Sequence, residues 1–143
     1  MVFGGMPPEG RTLLIGADAS TDLDMLDAAR IVIVQDSFAD FQALKARGFD
    51  VVTAAAAADE FDTAVVFLSR ARAATRARIA EAVQHLRPGA TLWIDGQKTD
   101  GIDAVIKEMR ALVPVEGVQS RAHGKIFSLT LPQPGWLPAD WAS

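Results

Sequence analysis

The feature that most constrains this chain is a repeated alternation between short apolar runs and stretches with helical periodicity. The apolar runs are four to seven residues long and several are rich in valine and isoleucine, as in "IVIVQD", which is typical of strands buried on both faces. Glycine, proline or aspartate closes most of them. The predicted strands cover residues 12–17, 31–36, 51–54, 63–68, 91–94, 115–120 and 125–131.

Helices are predicted over residues 23–29, 37–48, 70–87 and 102–112. In the second, Ser37 is the expected cap, Gly48 the expected end, and three apolar side chains are expected on one face: Phe38, Phe41 and Leu44. Pro88-Gly89 should end the third. The fourth has the clearest periodicity, in Ile102, Val105, Ile106, Met109 and Leu112.

The resulting order, β-α-β-α-β-β-α-β-α-β-β, predicts an α/β fold with helices on both faces of a sheet. We expect a Rossmann-like, doubly wound, mostly parallel sheet of about seven strands, closed by an antiparallel C-terminal hairpin. Residues 1–131 form this domain. Residues 132–143 are a tail or linker toward a possible second domain, whose Trp136 and Trp141 pack on this domain or on a neighbour.

Composition excludes several classes of function. The net charge of −4 over 143 residues does not indicate a strongly basic nucleic-acid module. Two histidines and no cysteine argue against a zinc site, so no metal is expected. No apolar run approaches the roughly 18 residues of a membrane span, and no secretory signal is visible, so a cytoplasmic location without membrane partners is expected.

Two motifs carry a family resemblance. "WIDGQKTDGIDAVIKEMRAL" (residues 93–112), followed by "RAHGKIFSL" (residues 121–129), resembles the N-terminal half of two-domain small-subunit ribosomal RNA guanine-N2 methyltransferases. That family, "methyltransferase small", has the class I S-adenosylmethionine-dependent methyltransferase fold in both halves. The resemblance implies that a C-terminal half binds the cofactor and catalyses, while the N-terminal half is degenerate, assists RNA recognition and supports its partner.

The first strand ends at a turn where a working methyltransferase of this fold has a glycine-rich loop that lets the cofactor lie against the backbone. Here the turn is "IGADAST", with one glycine, Gly16, and an acidic residue, Asp18. Asp36, at the end of the second strand, stands where an acid often binds the cofactor ribose, but it also suits a helix start. Gly16 and Asp36 are therefore only vestigial cofactor-binding candidates, and no cofactor is expected in this domain.

Base-amine methyltransferases carry an Asn/Asp-Pro-Pro-aromatic motif after the fourth strand. This chain has Leu68-Ser-Arg-Ala71 at that position and no such motif elsewhere. Because positioning supplies much of the rate in such transfers, no catalytic residue is expected and the chain alone should not catalyse methyl transfer.

Arginines crowd the start of the third helix, at positions 70, 72, 76 and 78, where cations oppose the helix dipole. A solvated basic face is the simpler interpretation, and contact with RNA or a partner is the functional one. Ligands of a doubly wound sheet gather at the carboxyl ends of its strands. The candidate contacts along that edge are Arg70, Arg72, Lys98, Arg121 and Lys125.

The segment "IDGQKTDGID" is interpreted as a joint between strand and helix, because Lys98-Thr99 lacks the phosphate-loop spacing. Gly96 is expected to turn the chain out of its strand. Asp100 is expected to cap the next helix, with Asp103 three residues later.

The sequence thus favours a degenerate N-terminal domain of an rRNA methyltransferase, with ribosomal RNA and a catalytic second domain as partners and S-adenosylmethionine as the parent enzyme's cofactor. A complete small methyltransferase with an unusual cofactor loop, and a protein–protein interaction domain, remain alternatives.

Overall fold

A computed structural model describes residues 10–21, 23, 27–56, 60–121, 124–132 and 135–142. In these residues the strands form one seven-stranded sheet in the order β3-β2-β1-β4-β5-β7-β6. Strands β1 to β5 are parallel neighbours, and β7 pairs antiparallel with β5 and β6. Their bounds are Thr12–Ile15, Ile31–Val34, Asp50–Val52, Phe61–Phe67, Leu86–Gln97, Glu116–Arg121 and Gly124–Thr130. The predicted doubly wound sheet with an antiparallel hairpin is confirmed.

Three α-helices cover the sheet in the described residues: α1 (Phe38–Ala46), α2 (Arg72–Gln84) and α3 (Ile102–Leu112). The predicted helix over 23–29 lies largely outside these residues. Its described end is a 3-10 turn, Ala28–Arg30, which the Asp27 side chain caps by accepting from Ala29 N.

Alternate strand residues feed two cores on opposite faces of the sheet. Leu13 and Ile15 of β1 point to the core under α2 and α3, and Leu14 between them points to the core under α1. All four residues of β1 are buried, as are all four of β2. Burial on both faces explains the uninterrupted apolar runs, because each side chain faces a packed helix layer instead of water.

The face predicted for α1 is wrong at its first residue. Leu44 is buried and Phe41 packs against the core, but Phe38 is 77% exposed. Three-residue steps fall about 60° short of a full helical turn, so residues 38 and 44 diverge around the axis. Ser37 occupies the N-cap position without a side-chain cap hydrogen bond.

The predicted end of α2 is also too late. The helix stops at Gln84, His85 is its C-cap, and β5 begins at Leu86. Leu86 is buried and pairs with Phe61 of β4. Because of this long-range pairing, the residues from Leu86 onward form a strand and do not continue the helix. Pro88 fits the strand because the β4–β5 register shifts between Phe61 and Thr63, a position that tolerates a missing N–H donor.

The tail docks on this domain. Trp141 is 6% exposed within the core under α2 and α3, and Trp136 and Leu137 pack against that core. The 3-10 turn Ala139–Ala142 lies against α2. A role for this segment as a linker to a second domain stays a prediction.

Candidate functional site

The joint between β5 and α3 differs in detail from the prediction. Gly96 remains inside β5, where an added Cβ would clash with the Leu68 side chain. Gly124 of β7, which pairs with Gln97, is also constrained, because a Cβ there would overlap the Gly96 carbonyl oxygen. These glycines permit close approach of chains and do not form a turn.

Asp100 does not cap α3. The N-cap is Gly101, at φ 86°, without a side-chain cap bond, and Asp100 ends a 3-10 turn over Lys98–Asp100. Asp100 instead forms an ion pair with Arg70, at 3.8 Å between Nε and Oδ1. The left-handed backbone at residue 101 excludes an ordinary capping helix start and explains why this N-cap residue is a glycine.

The turn after β1 is closed on itself. Each backbone N–H of residues 18–21 donates to an acceptor within the protein. Asp18 N donates to Thr21 Oγ1, and Ala19 N donates to Asp40 Oδ1. Ser20 N donates to Asp18 Oδ1, and Thr21 N donates to the Asp18 carbonyl. The Ser20 hydroxyl donates to Asp18 at 2.6 Å and lowers the pKa of that carboxyl. In a glycine-rich cofactor loop, such N–H groups face the ligand. In this chain the N–H groups of residues 18–21 already donate to protein acceptors.

A side chain of α2 fills the space beside the one glycine of that turn. Gly16 has φ 91°, and an added Cβ would lie 2.6 Å from an Arg78 guanidinium nitrogen. The same nitrogen donates to the Phe67 carbonyl at 2.7 Å. The Arg78 guanidinium thus bridges the carboxyl ends of β1 and β4, at the edge where doubly wound folds bind their ligands.

The remaining cleft at this edge has a volume of about 260 Å³. Asp36 and Thr53 line it and are exposed, and Glu81 lines it and is half-buried. Gln35, which the sequence interpretation missed, is buried beside it, donates to the Ala17 carbonyl at 2.7 Å and accepts from Ser37 N at 2.9 Å. Gln35 therefore ties the turns after β1 and β2 together.

The loop after β4 is also internally bonded. The Thr75 hydroxyl accepts from Ser69 N and donates to the Ser69 carbonyl, both at 3.0 Å. The Ser69 hydroxyl accepts from Ala71 N at 3.1 Å. The polar groups at the position of the base-binding motif therefore serve to start α2.

The arginines of α2 have acidic and aromatic neighbours. Glu108 of α3 pairs with Arg76 at 2.5 Å and with Arg72 at 4.0 Å. The Arg76 guanidinium also lies over the Trp141 ring, 5.3 Å from its centroid. The sequence interpretation missed Glu108, since it lies 32 residues from Arg76 and only the packing of α2 beside α3 brings them together.

The predicted basic contacts differ in their surroundings. Arg70 is 87% exposed although paired with Asp100, and Lys98 is exposed on the same 3-10 turn. Lys125 of β7 pairs with Asp103 at 2.6 Å, and its hydrogen bond lowers the pKa of the Asp103 carboxyl. Arg121 ends β6, and its side chain lies outside the described residues.

Two absences among the described residues bear on function. Among the described residues, no three His, Asp or Glu side chains are grouped as metal ligands would be. None of the helices in the described ranges is long and apolar enough to cross a bilayer.

The strand order, the hairpin and the ligand edge define a class I methyltransferase-type fold. Solved structures agree. A 16S rRNA N2 methyltransferase of T. thermophilus, determined with AdoMet and guanosine, matches with a TM-score of 0.71 and 26% identity, over 94% of this chain and 38% of that chain. The N-methyltransferase NodS of Bradyrhizobium japonicum, at 16% identity and a TM-score of 0.68 over 87% of this chain and 79% of its own, shares the fold.

The chain belongs to the family described as "Methyltransferase small domain N-terminal", whose model matches residues 8–142. A curated relative, ribosomal RNA small subunit methyltransferase C of Shewanella amazonensis, is 34% identical over 88 residues. That alignment covers 59% of this chain and 26% of the relative, so the chain spans about a quarter of the length of this curated relative. The N-terminal rRNA-methyltransferase resemblance is thereby confirmed.

Proposed function

We propose that this chain is a non-catalytic N-terminal domain of an rRNA guanine-N2 methyltransferase, which assists RNA binding and supports a C-terminal catalytic domain. The observation that carries the proposal is the Arg78 guanidinium beside Gly16, at the edge where the fold binds cofactor. A cofactor's amino acid portion would have to displace it. The domain would then bind no S-adenosylmethionine, and the parent enzyme's cofactor would sit in the second domain.

Two further observations support a non-catalytic role. The donors of the turn after β1 are bonded internally, so a ligand there would gain no hydrogen bonds without breaking existing ones. The loop after β4 offers no acceptor, proline pair or aromatic ring for a base, since its sequence is Leu68-Ser-Arg-Ala71. Gly16 and Asp36 occupy two positions that are typical of the cofactor site, but the glycine-rich turn and the base-binding motif around that site are absent.

The partner assignments follow from the relatives. Both the curated relative and the T. thermophilus protein are named as methyltransferases of small-subunit rRNA. Ribosomal RNA as substrate, a catalytic second domain in the same polypeptide and a cytoplasmic location are the corresponding proposals here. RNA contact is proposed at Arg70, Arg72, Lys98, Arg121 and Lys125.

Calorimetry with S-adenosylmethionine tests the proposal. This chain alone should show no binding, while the full-length parent protein should bind one equivalent. Micromolar binding to this chain would overturn the degenerate role and favour a small enzyme with an unusual cofactor loop. Titration with S-adenosylhomocysteine, which lacks the sulfonium charge, checks that the absence of binding is not caused by repulsion from Arg78.

Charge reversal tests the RNA assignment. Replacing Arg70, Arg72 and Lys98 with glutamate in the full-length protein should weaken binding to an rRNA fragment and flatten the dependence of affinity on salt. Unchanged affinity and salt slope would contradict contact at these three residues.

A further inference from the structure

A second cleft, separate from the one beside Gly16, lies between α3 and the β6–β7 hairpin. Its volume is about 230 Å³, and its floor is apolar, with Ile106 buried and Val118 half-exposed. The rim carries the charged side chains Asp103, Lys107, Arg110 and Lys125.

The rim is cationic and only partly neutralised. Three cations face one carboxylate, which gives a net charge of +2 in a chain whose total is −4. Asp103 is already bonded to Lys125. Lys107 and Arg110 are exposed, and no acidic group lies within 4.0 Å of either in the described part of the chain. These two charges are available to a ligand.

Neighbouring elements extend the positive surface without opposing it. Lys98 does not line the cleft, but its charge acts on Asp103 and helps to lower the pKa of that carboxyl. The acidic residue of β6, Glu116, pairs with Ser128. Ser128 lies between Phe127 and Leu129, which point into the core under α3, so Glu116 projects from the opposite face.

The chemistry of the rim favours phosphate over other anions. An exposed arginine can donate two parallel hydrogen bonds to a phosphate. A lysine ammonium is a compact point charge with three rotatable hydrogen-bond donors. No aromatic side chain is among the cleft residues named above, so base stacking has no platform there. An acidic protein would need a broader apolar contact than Ile106 and Val118 provide.

We infer that the cleft between α3 and the hairpin binds the sugar–phosphate backbone of the RNA substrate through Lys107 and Arg110, with Lys98 and Lys125 beside them. This inference rests on the proposed function and adds two residues that the sequence pattern did not select. Contacts of this kind position a strand without reading its bases. Binding should therefore depend strongly on salt and little on local sequence.

The test uses the full-length protein and a small-subunit rRNA fragment, with affinity measured by fluorescence anisotropy at several salt concentrations. The double variant Lys107→Gln/Arg110→Gln should lower affinity about tenfold at low salt. It should also reduce the slope of log affinity against log salt by about 1.4, the effect of two lost contacts to a single strand. The control Lys107→Arg/Arg110→Lys keeps both charges and should keep both quantities.

Three outcomes separate this inference from the proposed function. A loss in the glutamine variant but not in its charge-conserving control supports the cleft. An unchanged glutamine variant, together with a loss in the Arg70/Arg72/Lys98 reversal, overturns the cleft and leaves the proposed function standing. RNA binding that none of these variants alters overturns both RNA assignments. Thermal unfolding of each variant checks that the fold is retained.

Discussion

The basic residues of α2 and those of α3 look alike in the sequence, but the tertiary structure treats them differently. Arg72 and Arg76 of α2 pair with Glu108, and Arg78 is bonded to the Phe67 carbonyl. Lys107 and Arg110 of α3 face a cleft and have no acidic partner among the described residues. The difference teaches that a count of cations along a helix does not give the charge it offers to a ligand.

The comparison also explains an oddity of α2. Cations near a helix N-terminus oppose the dipole, and in the sequence this cost has no visible compensation. In the structure Glu108 of the neighbouring helix and the Trp141 ring supply it. We therefore expect changes around α2 to affect stability first, and changes on the outer face of α3 to affect RNA binding first.

The largest expected effect is on the support beneath α2. Trp141→Ala removes a buried ring that packs on the core and faces the Arg76 guanidinium, and should lower the free energy of unfolding by about 3 kcal/mol. Urea denaturation measures it. The half-buried Trp136→Ala is the matched control and should cost less. A loss below about 1 kcal/mol would mean that the tail contributes little to this domain.

The next largest effect on stability is expected at Glu108, the carboxylate that pairs with both Arg72 and Arg76. Glu108→Gln leaves Arg76 partly buried without its anionic partner and should cost about 1–2 kcal/mol of unfolding free energy. The exposed Glu116→Gln in β6 should stay within about 0.5 kcal/mol. If both substitutions gave equal losses in urea titrations, the arginines of α2 would not depend on Glu108.

Arg78→Ala sharpens the comparison at the cofactor edge. The variant loses one charge-assisted hydrogen bond to the Phe67 carbonyl and should lose about 1 kcal/mol of stability. It should still not bind S-adenosylmethionine in calorimetry, because the donors of the turn after β1 remain bonded internally. Arg78→Lys, which keeps the charge, is the control. Recovered cofactor binding in the alanine variant would show that Arg78 alone blocks the edge.

The smallest effect is a pH dependence at the α3 cleft. The Lys125 hydrogen bond lowers the pKa of Asp103 below its ordinary 3.8, so the ionised carboxylate favours the folded state. That contribution is present above pH 3.8 and disappears as the pH falls through the folded-state pKa. Asp103→Asn should therefore be less stable than wild type at pH 7, and the gap between the two thermal unfolding midpoints should narrow as the pH falls below 3.8. A gap that did not narrow on acidification would contradict the role of ionisation.

Much of the fold follows from local pattern. Apolar runs such as "IVIV" in β2 and the 3.6 periodicity of α3 fix element type, because each side chain's burial is set by the period of its own segment. The predicted ends of elements are less accurate where a distant strand competes for the same residues. Pairing of Leu86 with Phe61, for example, ends α2 before the predicted residue. The sequence marks Gly96 as a special position, but the expected turn there is wrong, since the residue stays inside β5 and is constrained by the Leu68 side chain.

By itself, the sequence determined the doubly wound sheet, the closing hairpin, the family, and the absence of a glycine-rich turn after β1 and of an Asn/Asp-Pro-Pro-aromatic motif. The fold follows from the hydrophobic periodicity of each segment, and the missing motifs can be read directly from the residue types present. Only the tertiary structure decided that Arg78 fills the space beside Gly16, that Glu108 pairs with two arginines of α2, and that Lys107 and Arg110 have no acidic partner among the described residues. Electrostatic energy falls steeply with distance, so the availability of a charge depends on neighbours that chain separation does not reveal.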